Sequence, residues 1–300
     1  MNRYGPLIFV LAAVWGASYL FIKVAVDDVE PSVLMAVRGF GAGVVLLGYL
    51  SWREGGRSAL AQLRAAWFPC LVLGVINAAL PFWLVAWGEK HIDSSVAGIA
   101  QATVPMFNLL VALRFLPHEP VTAGRILGLV LGVAGVGVLT GFHPGGGWWA
   151  VAGTLAVVGS SLSYAYAGVF GQLRVRTVAG PVLATGSMLA CGVILLPVAV
   201  LQFPDEAPGL KAAGSLVALT LLGTALGQLI LFRVLALHGS GRLSLVTFLV
   251  PPFAVVYGAV LLDEPVTAGA LGGLGLILAG VALASGKIAL PRRTPVTESP

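Results

Sequence analysis

Ten runs of about 20 mostly apolar residues, parted by short stretches that hold almost every charge, leave this chain only a lipid bilayer in which to fold. The runs cover 4–26, 31–51, 67–87, 94–116, 121–141, 148–170, 181–201, 212–235, 241–262 and 266–288. Of the 300 residues 58% are hydrophobic and 10% charged, whereas soluble domains carry about 25% charged residues. The first run is too long, and lacks the small-residue cleavage site, to be a removed signal peptide, so it is expected to stay as a spanning helix. The expected fold class is an all-α integral membrane protein with ten transmembrane helices. Cys70 and Cys191 lie inside apolar runs and read as small buried hydrophobes, with no disulfide framework, metal site or redox motif.

Lysine and arginine set the orientation. With the N-terminus in the cytoplasm, thirteen of the seventeen basic residues fall inside and three outside (Lys23, Lys90 and Lys211), leaving Arg38 within a run. The net charge of +5 is therefore loop charge and not a nucleic-acid footprint. This reading places a multi-pass protein in the plasma (inner) membrane with both termini cytoplasmic. Most acids, Glu89 and Glu264 among them, fall outside. Residues 291–300 are expected to form a disordered cytoplasmic tail.

The chain also repeats itself. HEPVTAG (His118–Gly124) returns as DEPVTAG (Asp263–Gly269), an offset of 145, and the surrounding segments 116–141 and 261–286 match at 14 of 26 positions without a gap. The same offset lays Ser18 on Ser163 and Tyr19 on Tyr164, while an offset of 149 aligns the second run with the seventh. The expected domains are a first five-helix repeat, 1–143, and a second, 144–290. Five is odd, so the second half enters the membrane from the opposite side, with His118 inside and Asp263 outside. Inverted repeats of this kind recur in secondary transporters, where the halves open a midplane site to either side in turn.

The run GTALGQLILFRVLALHGSGRLSLVTFLVPPFAVVYGAVLLDEPVTAG (223–269), WGASYLFIK (15–23), Arg38 and the doubled EPVT segments resemble EamA-type transporters of the drug/metabolite transporter superfamily. The resemblance covers residues 4–288. It implies a ten-helix inner-membrane carrier, often an exporter of amino acids, related metabolites or toxic small molecules. One departure is Gln228, near a position where similar proteins often carry an aromatic residue.

Helical spacing sorts the polar residues inside the runs into stripes. Trp15, Tyr19 and Lys23 share a face, as do Gln101, Pro105 and Asn108, and the pairs Asn77 with Pro81, Ser160 with Tyr164, and Thr224 with Gln228. Buried amides are costly, so Asn77, Gln101, Asn108 and Gln228 point to a substrate cavity. Ser18, Ser163 and Thr247 fit either a cavity or interhelical hydrogen bonding. Trp15, Tyr19 and Tyr164 complete the candidate substrate site. Arg38 has three open readings: snorkelling to Asp27, Asp28 or Glu30, a carbonyl contact, or a bidentate receptor for a substrate carboxylate or phosphate. Lys23, nearer the interface, reads as a snorkelling anchor. Pro81, Pro105 and Pro251 are candidate hinges, because each removes a helix hydrogen bond. The glycine-rich fifth and tenth runs read as structural.

No catalytic residue, cofactor or metal is expected. The serines of the sixth run lack an acid or histidine to activate them, no Walker A motif is present, and no acid at mid-run announces proton coupling. The partners expected are a small-molecule substrate and the lipid bilayer, with a monomer or homodimer as the assembly. The function read from the sequence is a secondary transporter exporting a small metabolite, such as an amino acid, by alternating access. A channel-like facilitator and a membrane-embedded enzyme are the rival readings.

Overall fold

A computed structural model describes residues 5–115, 122–141, 147–238 and 245–284. The HEPV of the first heptapeptide, the Pro144–Gly147 joint apart from Gly147, and the C-terminal tail lie outside the described residues. Every regular element among the described residues is helical.

Eight of these helices are long and apolar enough to cross a membrane. In chain order, with a short surface helix included, they are α1 (Pro6–Ala25), α2 (Pro31–Glu54), α3 (Gly56–Ala65, too short to span), α4 (Trp67–Glu89), α5 (Ser94–Phe115), α6 (Ala123–Thr140), α7 (Gly147–Arg174), α8 (Gly180–Leu201) and α9 (Leu210–Leu237). Two shorter apolar helices follow, α10 (Val246–Leu261) and α11 (Ala268–Ala284). The protein is a multi-pass membrane protein. Helix α3 was not foreseen; the sequence reading put residues 56–65 in a loop, yet their polar face leaves Ala59 buried under α2 and α4.

Aromatic residues mark two levels along the bundle. At one end Trp87, His91 and Trp149 stack with centroids 4.8–6.4 Å apart. At the other, Trp52, Trp67 and Phe68 are exposed. Aromatic girdles of this type sit at membrane–water interfaces.

The helices pair in a regular way. Helix α2 packs along α8, and α6 along α11. Glycine makes the second contact close: a Cβ on Gly135 would stand 2.9 Å from the Gly273 carbonyl, and one on Gly273 2.9 Å from the Gly135 carbonyl. Helix α1 lies against α10 while α7 lies against α5, and α4 lies against both α7 and α8.

Two local departures from α geometry shape the interior. Helix α4 widens to a π turn at Gly74–Ala79, and α9 does so at Leu219–Leu226. Their first residues are 145 positions apart, the offset of the sequence repeat. Helix α5 breaks at Ala102–Thr103, where the Thr103 hydroxyl donates to the Ala100 carbonyl at 2.7 Å and Pro105 begins the continuation. By contrast, Pro197 lies inside an unbroken α8, and Pro251 and Pro252 inside an unbroken α10. Pro81 sits in the first turn after the π turn, which absorbs the hydrogen bond that proline cannot make.

The threonine that ends each EPVT segment caps a helix. Thr267 Oγ1 accepts from the Ala270 amide at 3.0 Å, and Thr122 Oγ1 accepts from the Arg125 amide at 3.3 Å. Each threonine satisfies one of the amides that a helix N-terminus leaves open.

Candidate functional site

A cavity of about 320 Å³ lies in the middle of the bundle, bounded by α1, α2, α4, α5, α7, α9 and α10. That is the lower end of the range for small-ligand pockets, about 300–1,000 Å³. Helices α6, α8 and α11 contribute nothing to its wall.

The guanidinium of Arg38 is its most constrained group. Arg38 is 7% exposed; Nε donates to Thr224 Oγ1 at 2.8 Å, and the Met35 sulfur lies 3.7 Å from one terminal nitrogen. The guanidinium carbon stands 3.8 Å from the centre of the Phe82 ring, a cation–π contact. The π turn explains the Thr224 bond. Thr224 Oγ1 donates in turn to the Leu219 carbonyl, five residues back, at 2.9 Å, so the hydroxyl is fixed with a lone pair toward Arg38. Of the three readings of Arg38, snorkelling to Asp27, Asp28 or Glu30 does not fit a guanidinium that is buried and bonded to Thr224. No carboxylate lies within 4.0 Å of the guanidinium among the described residues.

Around Arg38 the lining includes Trp15, Ser18, Tyr19 and Asn77 from the first half. Gln101 joins them from α5, with Tyr164, Gln228, Thr247 and Pro251 from the second half. The Tyr19 and Tyr164 hydroxyls and the Asn77 and Gln228 amides have no hydrogen-bond partner among the described residues. Gln101 differs: its Nε2 donates to Ser161 Oγ at 3.0 Å and its Oε1 accepts from Ser160 Oγ at 2.9 Å, binding α5 to α7. Ser18 donates to the Val14 carbonyl at 3.3 Å.

Two of the expected site residues stand elsewhere. Asn108 is exposed and turned toward Gly168 of α7, away from the cavity. The break at Ala102–Thr103 rotates the second piece of α5, so the stripe Gln101–Pro105–Asn108 does not survive as one face. Ser163 donates to the Ile76 carbonyl at 2.7 Å, a group inside the π turn of α4, and so joins α7 to α4. Pro81 and Pro105 also lie off the cavity wall, each at the start of a resumed helix.

Two charged residues near the end of the bundle that carries Lys90 are held in ways that the sequence reading did not specify. Lys23, read as a snorkelling anchor, has Nζ donating to the carbonyls of Glu89 and Ile92 at 2.8 and 2.9 Å. Glu89, placed by the sequence on the outer side at a helix end, is wholly enclosed at 0% exposure. The signal was its place one turn past Val85 on the face that lines the cavity, in a helix whose last turn is apolar. At the same end Glu264 accepts from the amides of Ser94 and Ser95 at 2.7 and 2.9 Å, capping the positive N-terminus of α5. Asp93, just before that helix, has its carboxyl pushed above the ordinary range by burial, with the Glu264 charge adding to the effect and Lys23 opposing it.

Comparison with known proteins agrees with this architecture. The model of the EamA-like transporter family matches twice, at residues 3–141 and 151–286. The uncharacterized inner membrane transporter YedA of Escherichia coli (strain K12) is 28% identical over 193 residues, 63% of this chain, and the chain spans 59% of YedA's length. An uncharacterized transporter of Archaeoglobus fulgidus is 24% identical over 273 residues, covering 89% of this chain and 93% of its own. YvbV of Bacillus subtilis (strain 168), likewise an uncharacterized transporter, is 25% identical over 296 residues, covering 95% and 92%. A solved crystal structure shares the fold with a TM-score of 0.66 at 22% identity, over 93% of this chain and 96% of that one. With two matches that together take in nearly all of the described helices, the chain belongs to the EamA-like transporter family.

Proposed function

We propose that this protein is a secondary transporter that exports a small zwitterionic or amphipathic metabolite, such as an amino acid, by alternating access. The observation that carries the reading is one cavity that gathers a buried guanidinium and four unpartnered polar ends, two hydroxyls and two amides, between aromatic walls. Arg38 keeps terminal nitrogens for a carboxylate, which a guanidinium receives in a two-pronged geometry. Trp15, Tyr19, Phe82 and Tyr164 supply faces for an apolar or cationic remainder.

The ten apolar helices form two inverted five-helix repeats, 1–143 and 144–290, with both termini in the cytoplasm. The 145-residue recurrence of the π turns and of the Thr122 and Thr267 caps supports this, as do the like-with-like pairs α2–α8 and α6–α11. On that topology the Lys90 end faces outside and is shut by the Lys23 and Glu264 ties. One chain builds the whole cavity, so a monomer suffices for the site. Pro251, on the cavity wall, and Pro81 and Pro105, where helices resume, are the positions at which bending would change access.

Counterflow in liposomes containing the purified chain tests the function. Vesicles loaded with an equimolar mixture of the twenty standard amino acids should accumulate at least one radiolabelled amino acid, with saturation. Passage of inorganic ions alone, or linear uptake without saturation, would overturn the carrier reading in favour of a facilitator. Appearance of a chemically altered product would point to an enzyme. Topology is tested by single cysteines at His118 and Asp263 in a chain lacking Cys70 and Cys191, which should label from opposite sides.

A further inference from the structure

Glu89 closes α4 with both carboxyl oxygens buried and without a hydrogen-bond partner. The third buried side-chain oxygen in that condition among the described residues is Ser94 Oγ, five positions on. The charged groups facing this corner are engaged elsewhere. Lys23, from α1, donates to the backbone carbonyls of Glu89 and Ile92. Glu264, after α10, accepts from the amides that start α5, with Asp93 beside it. Arg38 of α2 and Tyr19 of α1 stand within electrostatic reach on the cavity side. Helix α7 offers Gly153 and Val157 against the neighbouring Gly88, and neither can ionise.

An ionised carboxylate without donors is far more costly to enclose than a neutral acid, which forfeits only ordinary hydrogen bonds. A proton is also a ligand that needs no empty volume. We propose that Glu89 is a proton-binding site: it takes up a proton when the Lys90 end of the bundle is open and holds it while that end is shut. Opening breaks the Lys23 and Glu264 ties and admits water, in which the carboxylate is stable beside the freed Lys23 ammonium. Closing requires the proton to return. Val85 lies one turn before Glu89, Tyr19 one turn before Lys23, and both line the cavity. The proton site and the cavity therefore share α1 and α4, and if the transporter reading holds, solute movement is linked to proton movement.

The test needs no solute, so a failure of counterflow leaves its result standing. In the full chain, reconstituted and lacking Cys70 and Cys191, Ile22, which lines the cavity, is replaced by cysteine (Ile22→Cys) and reports access from the Lys90 side through an impermeant maleimide. Its labelling rate is taken relative to the same cysteine in Glu89→Gln, which cancels the titration of the thiol. The ratio should climb about tenfold per pH unit until Glu89 is deprotonated, the signature of a single linked proton. Infrared difference spectra should show a protonated carboxyl band at neutral pH that vanishes in Glu89→Gln and persists in the exposed control Glu206→Gln. A flat ratio across pH overturns the gating role, and an unchanged band in Glu89→Gln overturns the proton site itself.

Discussion

Arg38 on α2 and Thr224 on α9, 186 positions apart, meet at 2.8 Å on the wall of the cavity, and the hydroxyl is aimed by a π turn. Thr224→Val keeps the shape and removes the acceptor, leaving a buried charged donor unpaired. It should cost about 1–3 kcal/mol of stability, read as a lower Tm in detergent, with transport reduced. Arg38→Gln relieves the buried charge, so it should leave Tm unchanged or raised while transport is lost. Full transport by a stable Arg38→Gln protein would show that the guanidinium has a packing role only.

The amides of α5 separate cavity from scaffold. Gln101→Leu breaks both links to α7, but Ser160 keeps its 2.7 Å bond to the Val157 carbonyl. The fold should survive and counterflow should fall by at least tenfold, about 1.4 kcal/mol of transition-state binding. Asn108→Leu should leave counterflow within about twofold of the parent, because Asn108 is outside the cavity.

Close packing of α6 on α11 predicts a position-specific response to alanine. Gly135→Ala drives a methyl to 2.9 Å from the Gly273 carbonyl, and should destabilise by about 1–3 kcal/mol. Gly275→Ala on the same pair meets nothing within 4 Å and should be neutral in a thermal melt.

Asp93 gives a pH dependence with a definite sign. Its carboxyl titrates higher in the folded protein than in the unfolded chain, so the native state holds more protons between those two values. Stability should therefore decline as pH rises through that window, from about pH 4 upward. Asp93→Asn should flatten the decline in Tm across that range. A steeper decline in the variant would mean that the folded carboxyl titrates below its unfolded value.

Much of this molecule was legible because lipid imposes a simple rule on sequence. The apolar runs and their boundaries followed from length and charge placement, and nine of the eleven proposed lining residues border the cavity. Asn108 was placed by extrapolating α-helical spacing through Pro105, and the break at Ala102–Thr103 interrupts that spacing. Ser163, on the unbroken α7, takes the second of its two readings, a hydrogen bond between helices. The burial of Glu89 was not legible, because an acid at a helix end normally meets water. Here Lys23 reaches over to tie that end down, a tertiary contact between residues 66 positions apart.

The π turns of α4 and α9 carry a mechanical consequence. A π turn holds one residue more than an α turn, so everything beyond it is rotated by about 100°. That surplus residue is slack stored in the middle of a membrane helix. Passing it one position along would turn a cavity-facing side chain away from the cavity without bending the helix or shifting its ends. Residues 74–79 and 219–226 would then turn as a pair of screws, set in the two halves, each advancing by a single step.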